Sequence, residues 1–227
     1  MPSVRTVTNL ESPRTKIRRL PERGRYERSD AEAVLDACLI CHLGFVVDDR
    51  PIVIPTIQAR DGDVVYVHGS VASRVLRTMK GGADVCLTAT IVDGLVLARS
   101  AFHHSINYRS VVVLGRATEV VERPRKLRAL EVITNHVLDG RWDDVRRPTE
   151  KELRATSVLA LPLQEASVKV RSGPPSDDDA DYELPVWAGV LPLSMVAGAP
   201  MPDPRLAPGV DLPATVRRAG TNPKSTH

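Results

Sequence analysis

Residues 93–115 read DGLVLARSAFHHSINYRSVVVLG. Apolar and β-branched residues follow Asp93-Gly94 and return from Ser110 to Gly115, so the stretch reads as two strands joined by a short polar corner. Between the two runs stand Arg99, Ser100, His103, His104, Ser105, Asn107, Tyr108 and Arg109. A purely structural hairpin has little use for so many donors at one corner, because buried polar groups need partners. The corner is therefore expected to form the lip of a binding site.

The same punctuation continues on either side. Upstream, residues 39–47 are mostly apolar, Asp48-Asp49-Arg50-Pro51 turns the chain into IVIPTIQA, and Asp61-Gly62 turns it again into VVYVHG. Three strands joined by tight polar turns make an antiparallel meander. Residues 71–81 place Val75, Leu76 and Met79 on one helical face and stop at Gly81-Gly82, a helix inserted between strands. Residues 85–92 give a strand that ends at the Asp93-Gly94 turn. Downstream, Pro124 suits a first helical position, and Leu127, Leu130, Val132, Ile133, His136 and Val137 carry a helix toward Gly140. Residues 149–155 add a turn of helix, 156–170 read as one long strand despite Pro162, and 184–196 read as another after an acidic loop. Before the meander, Ser29-Asp30-Ala31-Glu32 has the capping-box pattern ahead of Ala33, Val34, Leu35, Ala37 and Cys38. About eight strands with few helices predict a mainly β (α+β) fold, a closed or partly closed antiparallel barrel carrying peripheral helices. Turns this short exclude the crossovers of a doubly wound parallel sheet.

A chain of 227 residues that is 42% hydrophobic supports one substantial core. The expected domain is 29–196. The net charge of +3 is unevenly spread, since residues 1–28 hold eight Arg and Lys against three Glu, which leaves the rest at −2. Residues 1–28 therefore read as a basic, flexible arm and 197–227 as a Pro-rich, extended or disordered tail. Such an arm could meet nucleic acid or phospholipid, but Tyr26 is its only aromatic residue, so a solvated arm is expected and nucleic acid is not. The sequence shows no apolar leader and no run of eighteen apolar residues, which predicts a cytoplasmic protein without a membrane span. Three cysteines, an odd number, point to reduced thiols.

The chemistry begins at Val67-His68-Gly69-Ser70-Val71-Ala72-Ser73-Arg74, where a strand enters a helix through small residues. Helix N-termini favour acids, yet this one has none in its first turn and carries Arg74 instead. A bound phosphate would supply the missing negative charge, with Ser70 and Ser73 as hydroxyl partners. Alternatively Ser70 only caps the helix and Arg74 points to water. Cys38-Leu39-Ile40-Cys41-His42 fits the pattern of haem attachment, but inside an apolar helix-to-strand junction it reads as buried structural cysteine. His103 and His104 are neighbours on a strand and would face opposite sides, so no metal site is expected from them. One of them in a pocket would serve as a donor or proton carrier.

Four blocks carry a family likeness: HLGFVVDDRPIVIP, VYVHGSVASRVLR, VCLTATIVDGLVLARSAFHHSINYRSVVVLG and PVWAGVLPL. In that order they resemble the pyridoxamine 5'-phosphate oxidase-like family of FMN-binding split barrels, in the flavin-nucleotide-binding branch similar to nitroimidazole-resistance proteins. The likeness spans residues 25–196. It implies a homodimeric six-stranded split β-barrel that holds FMN in a groove at the subunit interface. By position, Ser73 and Arg74 match the pair on the flavin phosphate, with His68 and Ser70 nearby. Pro55, Thr56 and Ile57 fall on the strand beside the flavin ring, Thr88 and Thr90 on the neighbouring strand. Trp187 matches a late tryptophan that approaches from the other subunit, with Lys169 and Arg171 as companions, and Asn107 and Arg109 join the cofactor-binding set from the corner. Where true pyridoxamine phosphate oxidases have a basic strand motif this chain has PIVIPTIQA, so pyridoxamine phosphate is not the expected substrate. The expectation is an FMN-dependent oxidoreductase for a small planar molecule, with His103 or His104 as proton donor. The alternative is a flavin- or haem-binding protein that stores or senses without turnover.

Overall fold

The computed structural model describes residues 8–71 and 82–221. Strands β2 (Ile40–Val47), β3 (Arg50–Asp61) and β4 (Val64–Ser70) form the expected meander. Asp48 and Asp49 both take positive φ, 48° and 58°, as a two-residue type I′ hairpin turn requires. The expected helix over 71–81 lies outside the described residues, apart from Val71.

Strands β5 (Ala83–Leu97) and β6 (Ser105–Glu119) make one long antiparallel pair. Asp93-Gly94 does not end a strand as expected. Both sides of it pair with β6, and the extra residue is absorbed as a register shift between Val92 and Gly94. Here glycine is needed for close approach: a Cβ on Gly94 would stand 3.1 Å from the carbonyl oxygen of Leu191. That oxygen belongs to β9 (Gly189–Pro192), which is far shorter than the strand read over 184–196. The single strand read over 156–170 is two, β7 (Thr156–Pro162) and β8 (Ala166–Arg171). Pro162 has no N–H to continue the ladder, and Leu163 N–H turns aside to the carbonyl of Asp63 at 2.8 Å.

The sheet order is β1-β8-β6-β7-β4-β3-β2-β5-β9, where β1 is Gly24–Arg25, and β5 also pairs with β6. Strands β6, β7, β4, β3, β2 and β5 therefore close a ring. One edge of β6 is shared between β8, at 108–113, and β7, at 118–119. One edge of β5 is shared between β2, at 86–88, and β9, at 94–97. This is a split barrel, as expected.

Leu43, Phe45, Val65, Leu87, Val111, Val113 and Leu159 fill the ring, and α1 (Arg28–Ala37) packs Ala31, Val34 and Leu35 against them. The capping box read at Ser29 does not form. The helix starts two residues earlier with Glu27 at the N-cap and no side-chain cap, and Arg28 is instead buried against Asp63 at 2.9 Å. At its other end Gln58 Nε2 donates to the carbonyls of Leu35 and Cys38, both at 2.6 Å. Helix α2 (Arg123–Val137) covers part of the outer face, where Ala129 and Ile133 meet Tyr66, Val120, Val158 and Ala160. Helix α3 (Glu150–Ala155) carries a true capping box from Thr149 and Glu152.

Residues 8–27, within the stretch expected as a flexible arm, lie along β8. Leu10 is buried, its N–H donates to Tyr26 O, and Ala166 N–H donates to Leu10 O at 2.9 Å. The apolar Leu10 is what ties this basic segment down. Residues 193–213 run exposed without regular structure, and α4 (Ala214–Thr221) then seats Thr215 beside Gly140, with its hydroxyl on Asp144.

Candidate functional site

Alternation decides which side chains reach the outer face. Cys41, Leu43 and Phe45 of β2 are buried inside, so Ile40, His42 and Val46 point out. Register places Pro55, His42 and Thr88 in one row across β3, β2 and β5. A second row joins Thr90, Ser110 and Lys169, and a third joins Val92, Tyr108 and Arg171. Of the expected site residues, the structure thus collects Pro55, Thr88, Thr90, Lys169 and Arg171 on one outward face. Thr56 pairs with the inward Cys41 and leaves this face, whereas Ile57 pairs with Ile40 and stays on it, against the cluster under α2. The β2–β3 part of the face is apolar and, among the described residues, exposed, Val46 by 60% and Val53 by 64%. His42, Tyr108 and Ser110 also stand on it without having been assigned to the cofactor by sequence. Strict alternation in ICHLGFVV was the available signal for His42, obscured by the cysteine pattern around it.

His68 continues the outward face on β4, opposite Val158 and beside α2. Among the described residues its Nδ1 is buried without a hydrogen-bond partner, and burial holds the imidazole below its ordinary pKa, so the ring is neutral at pH 7. A cavity of about 430 Å³ opens beside it, bounded by Leu130 and Thr134 of α2 and by the Arg146–Glu152 ion pair. Ser70 is exposed at the end of β4, opposite Thr156. Ser73 and Arg74 lie outside the described residues.

The polar corner is less open than its sequence suggests, because its donors are taken up locally. Arg109 grips Asp93 through two bonds of 2.7 and 3.0 Å, which raises its already high pKa. Asn107 donates to Gly173 O at 3.1 Å and accepts from Arg171. Arg99 N–H and its guanidinium reach the buried Asp177 at 3.0 and 3.1 Å, and the guanidinium also stacks 4.8 Å from the Tyr182 ring centre. Burial pushes the Asp177 carboxyl up, but the N–H groups of Arg99 and Ser100 and the Arg99 side chain outweigh it and hold it below the usual range. His103 Nε2 stands 3.5 Å from Asp178, and His104 Nδ1 is 3.0 Å from Ser100 O. The corner therefore ties down residues 171–182. Trp187, 69% exposed, lays its ring over Gly189, where a Cβ would come within 2.9 Å. The cysteines are free and half-buried or buried; burial raises Cys38 and pushes Cys41 up to about 12, and Cys41 and His42 face opposite sides of the sheet.

A profile of the pyridoxamine 5'-phosphate oxidase family matches residues 27–170, well over half of the chain. The chain belongs to the pyridoxamine 5'-phosphate oxidase family. Three solved structures place it further within that fold. The flavocytochrome Anf3 from Azotobacter vinelandii is 40% identical, with a TM-score of 0.86 over 92% of this chain and 97% of that one. The FAD and haem binding protein from Mycobacterium smegmatis is 35% identical, with a TM-score of 0.83 over 87% of this chain and 97% of that one. A candidate 5-nitroimidazole antibiotic resistance protein from Bacteroides thetaiotaomicron, 19% identical with a TM-score of 0.53 over 65% of this chain and 86% of that one, shares the fold. No curated protein matches the chain. For this member of the pyridoxamine 5'-phosphate oxidase family, the outward rows on β3, β2, β5, β6 and β8 are the candidate site, flanked by the His68 cavity. Among the described residues no helix is long and apolar enough to cross a membrane.

Proposed function

We propose that this chain is a flavin-dependent oxidoreductase for a small, planar molecule, working as a homodimer in the cytoplasm. The observation that carries the reading is the uncovered outer face: an apolar platform with His42, Thr88 and Thr90 along its middle. Such a surface fits a planar ring with a polar edge, and its apolar remainder fits a second copy of the chain closing over it. A bound flavin would supply the redox chemistry. The chain's own residues would then bind and orient: Pro55 and Ile57 bound the platform, and Thr88 and Thr90 offer hydroxyl donors. Ser73 and Arg74 are proposed for the phosphate, with His68 and Ser70 at the same end, and Trp187 for the partner's side. His103, half-buried and facing Asp178, and the more exposed His104 are the proposed proton donors.

FMN is what the family likeness implies; the 35%-identical relative, an FAD and haem binding protein, favours the dinucleotide, and we take FAD as the first choice. The test is the absorption spectrum of the freshly purified protein, followed by acid extraction and mass measurement of the released flavin. A colourless protein that takes up neither FMN nor FAD ends the proposal. Turnover is tested separately by stopped flow, where oxidation of NADH or NADPH no faster than with free flavin would reduce the reading to storage or sensing.

A second reading adds haem. It rests on His68, whose buried, neutral imidazole keeps one nitrogen without a partner among the described residues, beside a cavity of about 430 Å³. Neutral imidazole is a good metal ligand, and both full-length relatives are a flavocytochrome or a haem binding protein. A Soret band lost in His68→Ala but kept in His42→Ala is the expected result; a band unchanged in His68→Ala assigns the ligand elsewhere.

A further inference from the structure

Among the described residues, the half-buried arginines follow a rule with one exception. Arg28, Arg60, Arg99 and Arg109 each hold a carboxylate, at 2.9, 2.5, 3.1 and 2.7 Å respectively. Arg171 holds none. Its recorded acceptors are the neutral oxygens of Asn107, Gly173 at 3.4 Å and Pro174 at 3.3 Å. Lys169, two residues back on the same face of β8, donates to the carbonyl of Arg19 at 2.9 Å. Neither makes an ion pair among the described residues. The N-terminal segment then adds to the excess, for Gly24 pairs with Lys169 and brings Arg23 alongside. Burial and the charge of Arg23 together depress the Arg171 pKa, the mark of a cation left without compensation. Among the described residues, the acid that pairs with Arg23 is the exposed Glu22 at 3.8 Å.

A guanidinium drawn out of water among like charges is unfavourable unless an anion completes the group. Forked guanidinium donors and an ammonium suit the oxygens of a phosphate. Ser110 and Tyr108, opposite Lys169 and Arg171 in the register, add hydroxyls on the same face. We propose that Arg23, Lys169 and Arg171 form a phosphate-binding site on the outer face, assembled when the N-terminal segment docks on β8. The phosphate is either the second one of a flavin dinucleotide or part of a separate small molecule that reacts on this face. Only that choice rests on the flavin reading; the site itself does not.

Titration calorimetry of the full-length protein with inorganic phosphate, at constant ionic strength against chloride, tests the site. Phosphate is expected to bind the wild type about fivefold or more tightly than Lys169→Gln or Arg23→Gln, with melting temperature retained in both. The titration is repeated after loading with FMN and with FAD. Binding that survives both flavins assigns the site to a separate molecule, loss with FAD alone assigns it to the dinucleotide's second phosphate, and loss with both assigns it to the phosphate they share. Phosphate heats equal to chloride, or equal in wild type and both variants, overturn the site. Failure to take up flavin overturns the proposed function and leaves the phosphate titration to decide the site by itself.

Discussion

The imidazole of His68 has its Nδ1 buried without a hydrogen-bond partner among the described residues, and burial lowers its pKa in the folded state. The unfolded chain therefore binds this proton more readily, and the sign of the effect follows. Stability is full above the unfolded value of about 6.5 and is lost as pH falls from there toward the folded pKa. His68→Gln, neutral at every pH, is expected to flatten that loss. Urea midpoints at pH 7.5 and 5 measure it, and an equal drop in both proteins would show that His68 is not buried neutral. Cys41 makes the same argument with a thiol: pushed up to about 12, it is a poor nucleophile at neutral pH. Part of this was legible beforehand. The sequence placed His68 at a strand end near the site, but sealing it takes α2, more than fifty positions away, which no local pattern reports.

Between elements, Gln58 stitches the end of α1 to β3. Its side chain is wholly buried and satisfies the carbonyls of Leu35 and Cys38, while His136 of α2 also reaches Cys38 O at 2.8 Å. Gln58→Leu leaves the Leu35 carbonyl unpaired and is expected to destabilise the fold by about 1–3 kcal/mol, read from denaturant unfolding. A change under half of that would mean the helix end is satisfied by water. The segment from 171 to 182 is held by Asp177, whose carboxylate accepts from Arg99 and Ser100. Asp177→Asn keeps the shape but loses the charge and one acceptor. Limited proteolysis should then cut between 172 and 188 sooner than in the wild type, and an unchanged cleavage pattern would remove Asp177 as the tie. The elements themselves were largely legible, because turns such as Asp48-Asp49 carry their own chemistry. Misreadings arose where tertiary pairing overrode a local signal: Asp93-Gly94 became a bulge because β6 pairs on both sides of it, and Pro162 split a strand that periodicity alone would continue.

Across the whole molecule, the outer face of β2 and β3 leaves Val46 and Val53 bare. Paired with each other's flanks on adjoining strands, they are expected to be covered by the second subunit. Val53→Lys should shift the protein from dimer to monomer in analytical ultracentrifugation and release flavin with it, and a dimer that tolerates the lysine would place the interface elsewhere. The ring of strands could be read from meander spacing. The extension of the sheet beyond the ring by β1, β8 and β9 could not, since it depends on partners far apart in the chain.

The Leu10 carbonyl and Gly24 meet the rest of the sheet at Ala166 and Lys169. During synthesis this segment thus leaves the ribosome roughly 150 residues before its β8 partners exist, with its cations and its anchoring leucine in water. A nascent chain halted before β8 would keep that end open to chaperones and proteases, and any truncation that removes β8 strands the amino terminus along with it.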